Sequence, residues 1–246
     1  MLGGMVLVEL KDVFVRFNGK PVLRGINASF ERGVHVVLGR NGAGKTTMLR
    51  AIAGLVGFEG DIRIDGRSVR QLRRRELSRL VGYCWQNPYY GFIEATVEEE
   101  LRAILDILGV EGDWVVAEVM VPLALMGRDP LTLSGGEAKR VSLASILIAG
   151  QPVWLLDEPF AYLDWDGVEA VARLIDYGRR RGKTIIITLH EPFYAELLKP
   201  DTYLALSDGS VVSRGRWGEL TDETLEKVGL ASRGVVCDSL CSGRGS

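Results

Sequence analysis

Cysteine is scarce in this chain: Cys84, Cys237 and Cys241 are the three thiols in 246 residues, too few and too unevenly spaced for a disulfide framework. Cys237 and Cys241 have no histidine near them in sequence, which argues against a zinc site without ligands from elsewhere. Ordinary thiols in a reducing compartment are expected. A basic excess is also missing. The 30 lysines and arginines are balanced by 32 acids, for a net charge of −2, so nucleic acid is not expected as a partner. No uninterrupted apolar run approaches the ~20 residues that cross a bilayer, and no basic stretch followed by an apolar signal core opens the chain. The chain is therefore expected to be soluble and cytosolic, leaving any membrane passage to other chains. No internal repeat is present.

With 47% hydrophobic and 25% charged residues, there is enough apolar material for one sizeable core in a single domain with subdomains. The run Val34 to Leu38 has the length and composition of a buried strand. It leads into Gly39, Arg40, Asn41, Gly42, Ala43, Gly44, Lys45 and Thr46, which fit the phosphate-loop pattern G-x-x-x-x-G-K-[ST]. Its glycines let successive N–H groups close around phosphate oxygens, and the helix expected from Lys45 to about Ala53 adds its positive end. Lys45 supplies a charge to the β- and γ-phosphates, the Thr46 hydroxyl is a magnesium ligand, and Thr47 completes the nucleotide-binding set. A nucleoside triphosphate is the expected ligand.

Two further segments add chemistry. Val153-Trp-Leu-Leu156 reads as a second buried strand and ends in Asp157-Glu158-Pro159, bringing carboxylates to the sheet edge beside the phosphate loop. Asp157 is placed to hold magnesium through its water shell, and Glu158 to orient or deprotonate the water that attacks the γ-phosphate. Leu133-Ser-Gly-Gly-Glu137 is a second glycine-containing turn opening a helix, with backbone donors and the Ser134 hydroxyl available to an anion. Since one nucleotide already has a complete cradle in the phosphate loop, two such elements suggest two copies of the chain.

From about residue 6 to 220 the chain resembles the nucleotide-binding subunit of an ATP-binding-cassette (ABC) transporter, whose signature sequence is similar to Leu133-Ser-Gly-Gly-Glu137. The resemblance implies a P-loop NTPase fold of the RecA-like α/β class: a mostly parallel sheet with flanking helices, a small antiparallel β-subdomain and a short helical subdomain at about 87–140, all within one domain spanning 1–230. It implies a head-to-tail dimer, homomeric or heteromeric, with ATP and Mg2+ between the phosphate loop of one subunit and the Ser134-Gly135-Gly136 turn of the other. It further implies separate transmembrane partners and a place on the cytoplasmic face of the membrane.

Other positions carry over by the same resemblance. Phe17 matches the aromatic that stacks on adenine; as a lone ring near a turn it also fits core packing. Gln86 matches the glutamine that touches magnesium and the attacking water, His190 the switch histidine that reaches the γ-phosphate, and Asp164 the loop that crosses the dimer interface. His35, inside an apolar strand pattern, reads as a core or edge residue. Two positions depart from the family: Glu137 stands where Gln is usual, adding a negative charge near ATP, and Tyr162 replaces a small residue. The segment between Gln86 and Ser134 is also shorter than in many relatives.

The run Arg70, Arg73, Arg74, Arg75 and Arg79, with Leu72, Leu77 and Leu80 between, reads as the solvated face of a short helix. Residues 6 to about 33 and Phe58 to Asp65 read as strands, Asn18-Gly19 as a tight turn, and Thr96 as the N-cap of a helix with Glu98, Glu99 and Glu100 in its first turn. Beyond 141, helix and strand alternate: helix to Ala149, strand at 153–156, helix from Asp166, strand at 184–189. Tyr203 to Leu206 and Ser210 to Ser213 then read as a closing hairpin, and Ala231 to Ser246 as a disordered tail. Gln86-Asn-Pro88 with Ala95-Thr-Val-Glu-Glu99 resembles importers of the energy-coupling-factor and cobalt type, which take up vitamins or metal ions. The rivals are a soluble ABC ATPase without a membrane partner, such as the iron–sulfur assembly type, and a P-loop kinase, in which the Ser134 turn would have no use.

Overall fold

The computed structural model describes residues 8–232. The Cys237/Cys241 pair and most of the expected tail, from residue 233 on, lie outside the described residues. In chain order the elements are β1 (Val8–Phe17), β2 (Lys20–Phe30), β3 (Gly33–Leu38), α1 (Lys45–Ile52), β4 (Glu59–Ile64), β5 (Arg67–Ser68), α2 (Arg74–Leu80), β6 (Val81–Cys84) and α3 (Val97–Leu108). After them come α4 (Trp114–Met120), α5 (Gly135–Leu147), β7 (Val153–Asp157), α6 (Trp165–Arg180), β8 (Thr184–Leu189), α7 (Pro192–Leu198), β9 (Thr202–Ser207), β10 (Ser210–Arg216) and α8 (Asp222–Lys227).

Two sheets form. The larger has the order β10-β9-β3-β8-β7-β6, parallel except for the β9/β10 hairpin. The smaller is antiparallel, β2-β1-β4-β5. Alternate residues of the large-sheet strands face two different cores. Val34, Val36, Leu38, Trp154, Leu156, Ile185, Ile187 and Leu189 pack with α3 to α7. Val37, Val153, Leu155 and Ile186 pack with α1 and the antiparallel sheet. Because successive side chains on a strand point to opposite faces, a sheet covered on both sides needs unbroken apolar runs. That is why these segments lack polar alternation.

Most boundaries match the sequence reading, and the differences have local causes. Helix α6 starts at Trp165 because the Asp164 side chain caps it, accepting from the Gly167 N–H at 2.9 Å. Thr96 caps α3 in the same way, through Glu99 N–H. The arginine face of α2 is exposed as expected, but two of its members also bond: Arg75 and Arg79 donate to the Leu108 carbonyl at the end of α3, a favourable place for positive charge. His35 is buried, between Thr202 Oγ1 at 2.8 Å and the Glu31 carbonyl at 2.9 Å, and burial holds its imidazole below the ordinary value.

Helix α6 approaches the sheet closely at Gly178, where a Cβ would lie 2.5 Å from Trp154 Cζ3 and 2.9 Å from Ile185 Cδ1. Alanine favours a helix interior by ~1 kcal/mol, yet overpacking a rigid core costs about 1–3 kcal/mol. Gly178→Ala is therefore expected to lower the thermal midpoint by a few degrees. An unchanged or raised midpoint would show that Trp154 can yield.

Candidate functional site

The site forms where four adjacent parallel strands end together. Strand β3 runs into Gly39, β7 ends in Asp157, β8 leads to His190, and β6 leads through Trp85 to Gln86. The carboxyl edge of a parallel sheet is where such folds place ligands. Gly39 must be glycine: its φ is +155°, and a Cβ would lie 2.4 Å from the Leu206 carbonyl oxygen. Helix α1 starts at Gly44 with no side-chain cap and no acid in its first turn. Its leading N–H groups and partial positive charge are left to an external anion.

A cleft of about 250 Å³ opens there, lined by Val22, Asn41 to Thr47, Gln86 and Glu158. Lys45 lies at its base, 5% exposed. Its ammonium donates to the Gly39 carbonyl at 2.6 Å and the Arg40 carbonyl at 3.3 Å, and stands 3.7 Å from Glu158 Oε1. Burial holds that ammonium below its ordinary value, while the charges of Glu158 and Asp157 pull it back.

Asp157 is 1% exposed and is held by three hydroxyls. Thr188 Oγ1 donates to its Oδ1 at 2.7 Å, Thr46 Oγ1 to the same oxygen at 3.0 Å, and the Tyr83 hydroxyl to Oδ2 at 3.1 Å. Burial pushes the Tyr83 phenol well above its ordinary range, and the Asp157 charge adds to this, so the phenol stays a donor. Glu158 has φ +46°, a left-handed backbone that costs a non-glycine residue roughly 1–2 kcal/mol. Its N–H donates to Thr188 Oγ1 at 3.0 Å, and its side chain is held from several sides. Gln86 Nε2 donates to Oε2 at 3.3 Å and His190 Nδ1 lies 3.0 Å from the same oxygen. The strain is thus offset at the carboxylate best placed to act on a ligand in the cleft.

Lys139, on α5, reaches the same region from behind. It is 1% exposed and donates to the carbonyls of Trp85, Gln86 and Asp157 at 2.9, 3.1 and 3.4 Å. Burial lowers its ammonium to about 8; the neighbouring Cys84 thiol is pushed up to about 12 by the same cause.

The Ser134-Gly135-Gly136 turn does not line this cleft. It opens α5 with a reciprocal cap: Ser134 Oγ accepts from Glu137 N–H at 3.3 Å, and Glu137 Oε2 accepts from Ser134 N–H at 2.8 Å. Arg128 lies 3.4 Å from the other Glu137 oxygen. The Ser134 backbone bond holds the Glu137 carboxyl below its ordinary value. Its charge is thereby engaged with the helix start, including the Ser134 side chain, and with Arg128. Tyr162, at φ +70° and 64% exposed, packs its side chain beside Gly135 and its carbonyl beside Gly136.

Of the other residues singled out from sequence, Phe17 ends β1 half-exposed and outside the cleft lining. Arg40 pairs with Asp208 at 2.8 Å. His190 stands with Glu158 and Tyr162 along a neighbouring cleft. Three residues at the heart of the site escaped sequence reading: Tyr83, Lys139 and Thr188. Thr188 had a visible signal, as a polar residue in an apolar run just ahead of His190. Among the described residues no group of three or more His, Cys, Asp or Glu side chains could hold a metal. What fits a cation is the juxtaposition of the Thr46 hydroxyl and the Asp157 carboxylate, hard oxygen donors of the kind Mg2+ prefers when phosphates supply the rest.

A family model described as ABC transporter matches residues 23–161. The chain belongs to the ABC transporter family. Among its relatives is the energy-coupling factor transporter ATP-binding protein EcfA1 of Thermotoga maritima, 36% identical over 90% of this chain and 86% of that one. EcfA of Methanocaldococcus jannaschii, also named an energy-coupling factor transporter ATP-binding protein, is 33% identical over 92% and 85%. A solved ATP-binding subunit of an ABC transporter superposes with a TM-score of 0.78 at 25% identity, over 96% of this chain and 99% of that one. The fold is also shared, at a TM-score of 0.75 and 23% identity over 85% and 98%, with an ATP-binding cassette solved as a dimer in a post-hydrolysis state with ADP and Pi. Among the described residues of this ABC-family chain, no helix is long and apolar enough to cross a membrane.

Proposed function

We propose that this chain is the ATP-binding and ATP-hydrolysing subunit of an ABC transporter, working with a second ATPase subunit, identical or related, and with separate transmembrane subunits on the cytoplasmic face of the membrane. The observation that carries the reading is a half-complete site. One cleft gathers the phosphate loop, Gln86 and Glu158, whereas the Ser134 turn, a second helix start with glycine N–H groups, lies outside it. Two head-to-tail copies complete both sites, each placing its Ser134, Gly135 and Gly136 donors on the ATP cradled by Gly39 to Thr47 of the other.

Lys45 then gives up its carbonyl and Glu158 contacts for the β- and γ-phosphate oxygens. Thr46 and Gln86 would hold Mg2+ directly and Asp157 through water; the ion, when bound, neutralises phosphate charge. Glu158 orients the attacking water and accepts its proton, His190 contacts the γ-phosphate, and Phe17 supports the base. Residues 1–230 act as one domain, and its helical subdomain, about 87–140, carries closure of the dimer to the membrane partner. The relatives' names support a transporter of the energy-coupling-factor type; import of a vitamin or metal ion is the transport we propose with it, on the resemblance of Gln86-Asn-Pro88 and Ala95 to Glu99.

The reading is tested by isolating tagged Glu158→Gln protein from gently solubilised cells with and without Mg-ATP and identifying its companions by mass spectrometry. Multi-span membrane proteins are expected. Recovery of only soluble assembly factors would move the same ATPase to a role without a membrane partner.

A further inference from the structure

Where β6 stops at Cys84, the chain leaves the sheet: the last strand pair is Cys84 with Leu156, and Trp85 and Gln86 have no strand partner. Yet the Gln86 side chain must meet Glu158 Oε2, which it does at 3.3 Å. Lys139 holds the main chain at that exit, its ammonium donating to the carbonyls of Trp85, Gln86 and Asp157. Three N–H donors meet three carbonyl acceptors, which uses the full capacity of an ammonium. These three bonds all go to main-chain oxygens. A charge buried to 1% exposure is costly to keep where an apolar side chain of similar length would pack.

We propose that Lys139 is a positioning residue for hydrolysis: it ties the Gln86 segment and the end of β7 to α5, so that Gln86, Glu158 and the Ser134 turn are set as one unit. Lys139 sits on the second turn of the helix that Ser134 opens. A displacement of that turn therefore reaches Gln86 through a single side chain. Lys139 touches neither the cleft nor its ligand, and acts through the residues it places. The inference rests on the ATP-hydrolysis reading of the site.

The test compares full-length wild type with Lys139→Met and Lys139→Arg in Mg-ATP hydrolysis and in equilibrium binding of a fluorescent ATP analogue. Misplacing groups by about 1 Å is enough to lower turnover ~10- to 100-fold. Lys139→Met is expected to lose kcat on that scale, with KM and analogue affinity within about twofold of wild type. Lys139→Arg, which keeps charged donors, is expected to turn over faster than Lys139→Met. If Lys139→Met fails to fold, Lys139→Gln, with two donors and no charge, takes its place and is expected to show the same split in milder form. Turnover at the wild-type rate in the substituted chain, or a loss that follows nucleotide affinity or folded fraction alone, would overturn the inference while leaving the ATPase reading intact. Absence of hydrolysis by the wild-type chain would remove both.

Discussion

Replacing Glu158 by glutamine is expected to slow ATP turnover by about 10²- to 10⁴-fold, the usual worth of a positioned general base, while ATP remains bound. The substitution keeps the shape of a buried side chain and leaves the Thr188 contact to its backbone N–H in place. What disappears is a negative charge and the proton acceptor. Affinity for ATP should hold or rise, because the Glu158 carboxylate stands 3.7 Å from the Lys45 ammonium and both competes for that cation and repels an incoming phosphate. Phosphate release, nucleotide binding and size in solution, followed together, should show slow turnover, retained ATP and an ATP-dependent dimer. Hydrolysis at the wild-type rate would remove Glu158 from its assigned role.

Lys45→Ala is expected to fail at the earlier step. Hydrogen bonds to charged groups contribute about 1.5–3 kcal/mol each, so losing the ammonium should weaken ATP binding by roughly 10- to 100-fold. A second effect has the same sign. Without Lys45, the Glu158 carboxylate faces the phosphates with only Gln86 and His190 at its oxygens. Adding Glu158→Gln to Lys45→Ala should therefore recover part of the lost affinity, which a double-mutant cycle by calorimetry measures. A Lys45→Ala dissociation constant within about threefold of wild type would contradict the placement of Lys45 on the phosphates.

Much of this was legible in one dimension, because the signals are local. The phosphate loop depends on glycines at fixed spacing and on the strand before it, and α1 follows where Gly39 and Gly44 permit the turn. Largely apolar runs without polar alternation announced β3, β7 and β8 as strands covered on both faces. Glu137 and Tyr162 were legible as departures. The cap that Glu137 makes with Ser134 follows from their i, i+3 spacing, whereas its pairing with Arg128 and the packing of Tyr162 beside the glycine turn depend on where Arg128 and Gly135 lie in space.

The sequence by itself determined the ligand class and the order of strands and helices, since residue spacing within a few positions dictates phosphate cradles, caps and strand faces. Only the tertiary structure decided how the site is held. Thr46 meets Asp157 across 111 residues, Tyr83 meets it across 74, and Thr188 across 31. The two meetings between strands follow from parallel register, with Asp157 opposite Thr188 and Leu155 opposite Tyr83, and register is set by packing of the whole sheet against its two cores; Thr46 is brought to Asp157 by helix α1. Lys139 is the extreme case: in sequence it is one lysine in a helix, and only the enclosing fold buries its charge against three carbonyls.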